Sequence, residues 1–267
     1  MKQRMITGIV AGAGFIGLCM LGGLWYHVLV LLMGLIGFYE FVRMTGTRPF
    51  QGTAWIGYIG VLYTVFPWEL LGLTMPLDLM RTYWLLMFLF LVVTVISKNQ
   101  IPIGRVAMLF LGMVYIGLGF YYLAATRITA DGHGLFWTFL MLAAIWSSDA
   151  GAYFTGRRLG KHKLWPAISP NKTIEGALGG IAAAVAAAIL FAVFSGGILN
   201  VGQALLLGLC AAAVGQMGDL IQSAYKRIYG IKDSGTLLPG HGGILDRCDS
   251  WIIVFPFVHI LQLLPIF

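Results

Sequence analysis

Between Arg105 and Arg127 the chain reads VAMLFLGMVYIGLGFYYLAAT, Val106–Thr126, without one charged residue. At about 1.5 Å of rise per residue, a helix over this run matches the roughly 30 Å of a bilayer's hydrocarbon core. Working outward, apolar runs bounded by charges, Gly and Pro recur at about 5–22, 24–42, 54–71, 82–97, 106–126, 135–156, 177–196, 198–225 and 250–267. Of the 267 residues, 59% are hydrophobic and 10% charged, whereas a soluble globule carries about 25% charged residues. A chain so poor in charge cannot cover itself with a polar surface, which excludes a soluble enzyme, a disordered chain and a coiled coil. The expected fold is all-α: a polytopic integral membrane helical bundle of about nine transmembrane helices.

The basic residues test that layout, because positive charge collects in cytoplasmic connections. With a cytoplasmic N-terminus, fifteen of the seventeen Lys and Arg residues fall inside, leaving only Arg81 and Arg127 outside. The excess of base is therefore a topology signal, and no nucleic-acid partner is expected. Lys2 and Arg4 begin a retained first helix, since spans follow one another to Phe267. Cys19, Cys210 and Cys248 form neither a disulfide framework nor a ligand cluster. The Ala-rich run Ile181–Ile189 reads as a helix packed closely through small side chains.

The two halves differ in chemical content. Residues 1–134 carry isolated acids, Glu40, Glu69, Asp78 and Asp131, and read as a lipid-facing helical scaffold. Residues 135–267 carry six of the ten acids and both long connections, roughly 157–176 and 226–249, and read as the catalytic region.

The segment GDLIQSAYKRIYGIKDSGTLLPGHGGILDRCDS, Gly218–Ser250, gathers Asp219, Asp233, Asp246 and Asp249 with Lys226, Arg227, Lys232, Arg247 and His241. A carboxylate at membrane depth is costly unless paired, hydrated or metal-bound. Asp246 and Asp249 stand three apart, on one face if helical. Such a pair suits a hard cation such as Mg²⁺, which keeps water and takes one or two carboxylates plus phosphate oxygens. Between the acids, Pro239-Gly240-His241-Gly242-Gly243 can turn tightly and offer backbone N–H groups to phosphate. A salt-bridge network that orients helices would explain single residues such as Arg247, but poorly explains both signs of charge gathered beside glycines.

A second constellation, Ser148–Gly180, places Asp149 in the sixth span and Arg157, Arg158, Lys161 and Lys163 after it, the latter serving topology equally well. Ser169-Pro170-Asn171-Lys172-Thr173-Ile174-Glu175-Gly176 presents Ser169, Asn171, Lys172 and Thr173 where a loop is expected to enter a helix, and those groups suit phosphate or sugar. Glu175 reads as a helix-dipole partner. Elsewhere the plain readings prevail: Glu40 as an interfacial partner of Arg43, and His27 and His259 as satisfied or interfacial histidines.

At these segments the sequence closely resembles the phosphatidate cytidylyltransferases, or CDP-diacylglycerol synthases. Their signature S-x-x-K-R-x₄-K-D-x-G-x₂-L-P-x-H-G-G-x-x-D-R-x-D is matched by Ser223, Lys226, Arg227, Lys232, Asp233, Gly235, Leu238, Pro239, His241, Gly242, Gly243, Asp246, Arg247 and Asp249. The blocks Asp149–Leu164 and Ser169–Gly176 are similar to the family as well. Gln222 departs from the glutamate many members carry before the signature serine, so it is not counted as a metal ligand; Tyr225 and Cys248 replace apolar residues.

The resemblance implies a multipass helical protein of a bacterial cell membrane, with its site on the cytoplasmic side and Mg²⁺ as cofactor, a second cation being compatible. The implied reaction is CTP + phosphatidate → CDP-diacylglycerol + pyrophosphate. Asp219, Asp246 and Asp249 are expected as metal carboxylates. Lys226, Arg227, Lys232, Asp233, His241 and Arg247 complete the catalytic set. Asp149, Ser169, Asn171, Lys172, Thr173, Ser223, Gly242 and Gly243 are expected to bind substrate. The partners are CTP, phosphatidate and membrane lipids, and a homodimer is compatible with the sequence. The competing readings are a CTP-dependent polyprenol or lipid kinase, and a transporter with its acids along a through-path.

Overall fold

The computed structural model describes residues 2–265 apart from Leu238, Pro239 and His241, with the backbone alone over residues 2–5. Among the described residues the helices are α1 (Lys2–Leu21), α2 (Gly23–Met44), α3 (Gly52–Val65), α4 (Leu79–Ile96), α5 (Ile103–Ala125), α6 (Gly134–Leu159), α7 (Ile174–Phe194), α8 (Val201–Ile228) and α9 (Leu245–Ile260). Each expected span coincides with one of them. Six (α2, α4, α5, α6, α7 and α8) are long and apolar enough to cross a membrane, whereas the apolar part of α1 and all of α3 are shorter. The protein is a helical, multipass membrane type.

Several boundaries differ from expectation for local reasons. The third helix stops at Val65 instead of continuing to 71: Pro67 follows, and the chain makes a short 3₁₀ turn over Glu69–Leu71, because proline cannot continue a helix's hydrogen bonding. The last helix starts at Leu245, before the expected 250, and takes in Asp246 and Asp249. The segment expected as a loop before α7 is instead a short antiparallel hairpin, β1 (Lys163–Trp165) with β2 (Ser169–Thr173), in which Lys163 pairs with Thr173 and Trp165 with Ser169. This small sheet is an addition to the all-α reading. It ends where the Thr173 hydroxyl accepts a hydrogen bond from the Gly176 N–H at 3.1 Å and caps α7. Asn200 and Asp78 cap α8 and α4 in the same way.

The chain forms two compact units. The first contains the residues through Ala124 together with Asp233–Arg247. Its core holds Tyr26, Phe38, Phe41, Phe90, Met113 and Phe120. Glycines admit the large rings: a Cβ at Gly57 would strike Phe38, and one at Gly112 would strike Phe41. The second unit contains Ala125–Lys232 and the chain from Cys248 onward. Here helices touch backbone to backbone. A Cβ at Gly151 would meet the Gly179 carbonyl, and one at Gly208 would meet the Val185 backbone. Ala184 and Ala188 are fully buried, in line with the close packing expected of the Ala-rich run.

Candidate active site

In the second unit the functional side chains come from four elements. Asp149 lies on α6, Lys172 on β2, Asp219, Ser223 and Lys226 on α8, and Asp249 on α9. The spacing on α8 is four and then three residues, which keeps Asp219, Ser223 and Lys226 along one face. The Ser223 hydroxyl donates to Asp219 Oδ1 at 3.3 Å, and Lys172 Nζ lies 2.7 Å from Asp219 Oδ2. The same ammonium donates to the Gln216 carbonyl at 3.5 Å, so it ties the hairpin to α8.

Helix α9 reaches this point because α8 has no side chain at Gly218, where a Cβ would meet the Asp249 carbonyl. One turn back along α8, the Ser250 hydroxyl donates to the Gly215 carbonyl at 3.1 Å. Asp219 is consequently near enough to Asp149 and Asp249 to repel both, and Asp249 repels Asp149 in turn. The nearby positive charges are Lys172, felt by Asp149, and Lys226, felt by Asp249. Three carboxylates set against two ammonium groups leave a local excess of negative charge.

A hard divalent cation fits that donor set. Among the described residues no group of three or more His, Cys, Asp or Glu side chains is gathered to hold a metal by itself. Mg²⁺ does not need one, since it takes one or two carboxylates and completes its shell with water and phosphate oxygens.

In the first unit a different pair of acids organises the signature loop. Asp246 Oδ2 accepts from the Ser234 N–H at 2.7 Å, the Ser234 hydroxyl at 3.0 Å and the Gly243 N–H at 2.9 Å. Glu40, 3% exposed, accepts from the Ile244 N–H at 2.9 Å, the Leu245 N–H at 3.0 Å and the Ser234 hydroxyl at 3.1 Å. The expected Glu40–Arg43 pair is not what holds this carboxylate, and that reading is corrected. Glu40 turns inward to satisfy the first N–H groups of α9, which have no partner within their own helix. Gly242 has φ +81°, and a Cβ there would meet the Asp246 carboxylate; one at Gly243 would meet Glu40.

The remaining expected residues fall in several places. Arg227 is exposed, and its Nε donates to the Ile168 carbonyl at 3.2 Å in the hairpin turn. Ser169 is half-buried and Asn171 exposed on β2, while Thr173 is buried at its cap. Lys232, Asp233 and Arg247 are exposed. His241 lies outside the described residues. Glu175 does more than face the helix dipole: it accepts from the Lys161 and His162 N–H groups and pairs with His162 Nδ1 at 2.6 Å, anchoring the start of the hairpin. Gln222 is buried, and its Oε1 has no hydrogen-bond partner among the described residues. Sequence reasoning missed the parts of Glu40 and Ser234. The one available signal for Glu40 was a carboxylate inside an apolar span.

A family model described as the cytidylyltransferase family matches residues 2–264. The chain belongs to that family. Among relatives, it is 39% identical to a phosphatidate cytidylyltransferase of Bacillus subtilis (strain 168) over 267 residues, covering 98% of this chain and 97% of the relative. It is 37% identical to one of Staphylococcus haemolyticus (strain JCSC1435), with 98% of each chain covered. A third such protein, from Staphylococcus saprophyticus, is 36% identical over 98% of each chain. Family membership thus extends over the first half, where resemblance in the sequence alone was compositional.

Proposed function

We propose that this protein is a phosphatidate cytidylyltransferase, which makes CDP-diacylglycerol and pyrophosphate from CTP and phosphatidate. The observation that carries the reading is the Asp149–Asp219–Asp249 cluster with Lys172 and Lys226, in a chain of the cytidylyltransferase family. A phosphatidate oxygen attacks the α-phosphorus of CTP. A new P–O bond forms there as the bond to the β-phosphate oxygen breaks, and pyrophosphate leaves. A phosphate monoester is already largely ionised near neutrality, its second pKa being about 6. The protein therefore needs no strong base, and its task is to neutralise and align charge.

Lys172 is held in place by Asp219 and the Gln216 carbonyl, and an ammonium fixed there offers its remaining donor to a phosphate oxygen. Lys226, Arg227, Lys232 and Arg247 supply further positive charge for the triphosphate and the lipid phosphate. Asp219, Asp246 and Asp249 are the carboxylates proposed to hold Mg²⁺, and Asp149 lies near Asp219 and Asp249. When bound, the ion would polarise the phosphoryl oxygens and offset charge that develops as pyrophosphate departs. Asp246 is fixed in orientation by the loop, its Oδ2 receiving three hydrogen bonds. Residues 135–267 carry the chemistry and residues 1–134 the scaffold, from which Glu40 braces the signature loop. CTP comes from water, so the reactive ends of α6, α8 and α9 are assigned to the cytoplasmic side, with the N-terminus on that side as well.

Purified protein incubated with phosphatidate, Mg²⁺ and CTP labelled in the α-phosphate tests the proposal. Label in the lipid phase is expected; its absence there, with γ-label entering the lipid, would establish a CTP-dependent lipid kinase instead.

A further inference from the structure

The first unit contains a cavity of about 630 Å³ lined by Gly46, Arg48, Pro49, Phe50, Gln51 and Arg105, none of them a residue of the acid clusters. Its two guanidinium groups come from connections far apart in sequence, Arg48 between α2 and α3 and Arg105 in the first turn of α5. No carboxylate lines it. Among the described residues neither arginine takes part in an ion pair, although four such pairs form elsewhere. Topology explains why arginines stand in these connections. It does not explain why two of them share one cavity without a counter-charge, where like charges repel and an anion would relieve them.

The depth of the cavity indicates which anion. Helices α2 and α5 are both of membrane-crossing length, and the cavity sits just beyond the last turn of one and at the first turn of the other, at the level of lipid headgroups. Phe50, which lines it, is 69% exposed, and Trp55 nearby is 52% exposed. Together with Tyr39 and Tyr58 they form a run of ring contacts with centroids 5.6 to 6.1 Å apart. Exposed aromatics of this kind settle at the membrane–water interface. A planar guanidinium offers paired donors that match phosphate oxygens.

We infer that this cavity docks the phosphate of an anionic membrane lipid, through Arg48 and Arg105, with the acyl chains lying along the exposed aromatics. The inference rests on the membrane-spanning character of the helices and not on the transfer reaction.

The test uses the full-length protein in neutral detergent, with native mass spectrometry to count retained lipids after addition of phosphatidylglycerol or phosphatidylcholine. The wild type should retain one more phosphatidylglycerol than Arg48→Ala/Arg105→Ala, and show no such difference for phosphatidylcholine. Each single variant should weaken retention roughly tenfold, the size of one lost charge-assisted contact, and the single variants carry the test if the double variant does not fold. Arg48→Lys/Arg105→Lys should stay within a few-fold of the wild type. Equal retention of phosphatidylglycerol by wild type and variants overturns the inference, as does an equal loss of phosphatidylcholine. Displacement of the lipid by excess inorganic phosphate would identify a soluble anion as the occupant and overturn the lipid source. Label transfer from CTP, measured on the same samples, should be unchanged; failure of that reaction in the wild type would leave the retention result standing.

Discussion

In the first unit, Glu40 and Asp246 accept hydrogen bonds from the N–H groups of Ser234, Gly243, Ile244 and Leu245, with the Ser234 hydroxyl shared between them. In the second unit the supply of donors is much thinner. Asp219 receives Ser223 and Lys172, Asp249 receives the adjacent Ser250 N–H, and Asp149 has no hydrogen bond among the described residues. Both sets lie on helices that begin or run within apolar surroundings, where unsatisfied charge is expensive. Carboxylates saturated by backbone donors hold a loop in shape. Carboxylates that crowd one another and lack donors retain a demand for positive charge that a cation and its phosphate ligands can meet.

That contrast breaks first at Asp219 and Asp249. Asp219→Asn or Asp249→Asn should lower label transfer into lipid by about two orders of magnitude or more, the scale of removing an electrostatic group from a phosphoryl-transfer site. Thermal melting in detergent should move little or rise, because each change relieves repulsion. A variant that keeps near-wild-type turnover would remove the metal role of that residue.

Glu40→Ala should show the opposite pattern. It leaves the Ile244 and Leu245 N–H groups without their acceptor, at about 1–3 kcal/mol each, while the Ser234 hydroxyl keeps Asp246. A fall in melting temperature should accompany any loss of turnover, and Glu40→Gln should recover part of both. Unchanged melting in Glu40→Ala would show that the loop is held by Asp246 alone.

Gly218→Ala sharpens the comparison from the packing side. The added methyl meets the Asp249 carbonyl and should cost about 1–3 kcal/mol by overpacking, with turnover reduced as α9 shifts. Lys172→Ala should reduce turnover by about tenfold, and the half-exposed pair it breaks should change stability by less than about 1 kcal/mol.

The smallest effect is expected at Asp131, outside the spans. Burial alone would push its carboxyl up, but hydrogen bonds from Thr129, the His133 N–H and Trp137, with the charge of His133, hold it below the ordinary carboxylate range. A depressed folded-state value means stability that is present above the ordinary Asp pKa of about 3.9 and lost as pH falls through the lower value. Asp131→Asn should lower the melting temperature slightly in the neutral region and flatten the acid limb, so that its profile meets that of the wild type at low pH.

Much of this architecture was legible in the residues. Uncharged runs such as Val106–Thr126 located the helices, and the charges of Gly218–Ser250 pointed to the segment that carries Asp219, Asp246 and Asp249. The hairpin was not legible, because Ser169–Thr173 is short and polar and lacks the alternation that marks a half-buried strand. Nor was the work of Glu40, whose partners lie 194 to 205 positions further along the chain. Local charge made Arg43 the nearer candidate, but the orphan N–H groups opening α9 outweighed it. The start of α9 at Leu245 was hidden for the same reason: a polar, charged first turn does not read as membrane helix until its donors are seen to be satisfied.

Helix α8 is 28 residues long, about 42 Å end to end against roughly 30 Å of hydrocarbon. Measured from Val201, Asp219 sits about 27 Å along it and Lys226 about 37 Å. The helix thus acts as a ruler: its apolar portion is close to the thickness of the oil in length when the first acidic residue arrives, and its last two turns extend past that length. Deleting one turn upstream would draw Asp219 about 5.4 Å back along that length, without altering a single residue beside it.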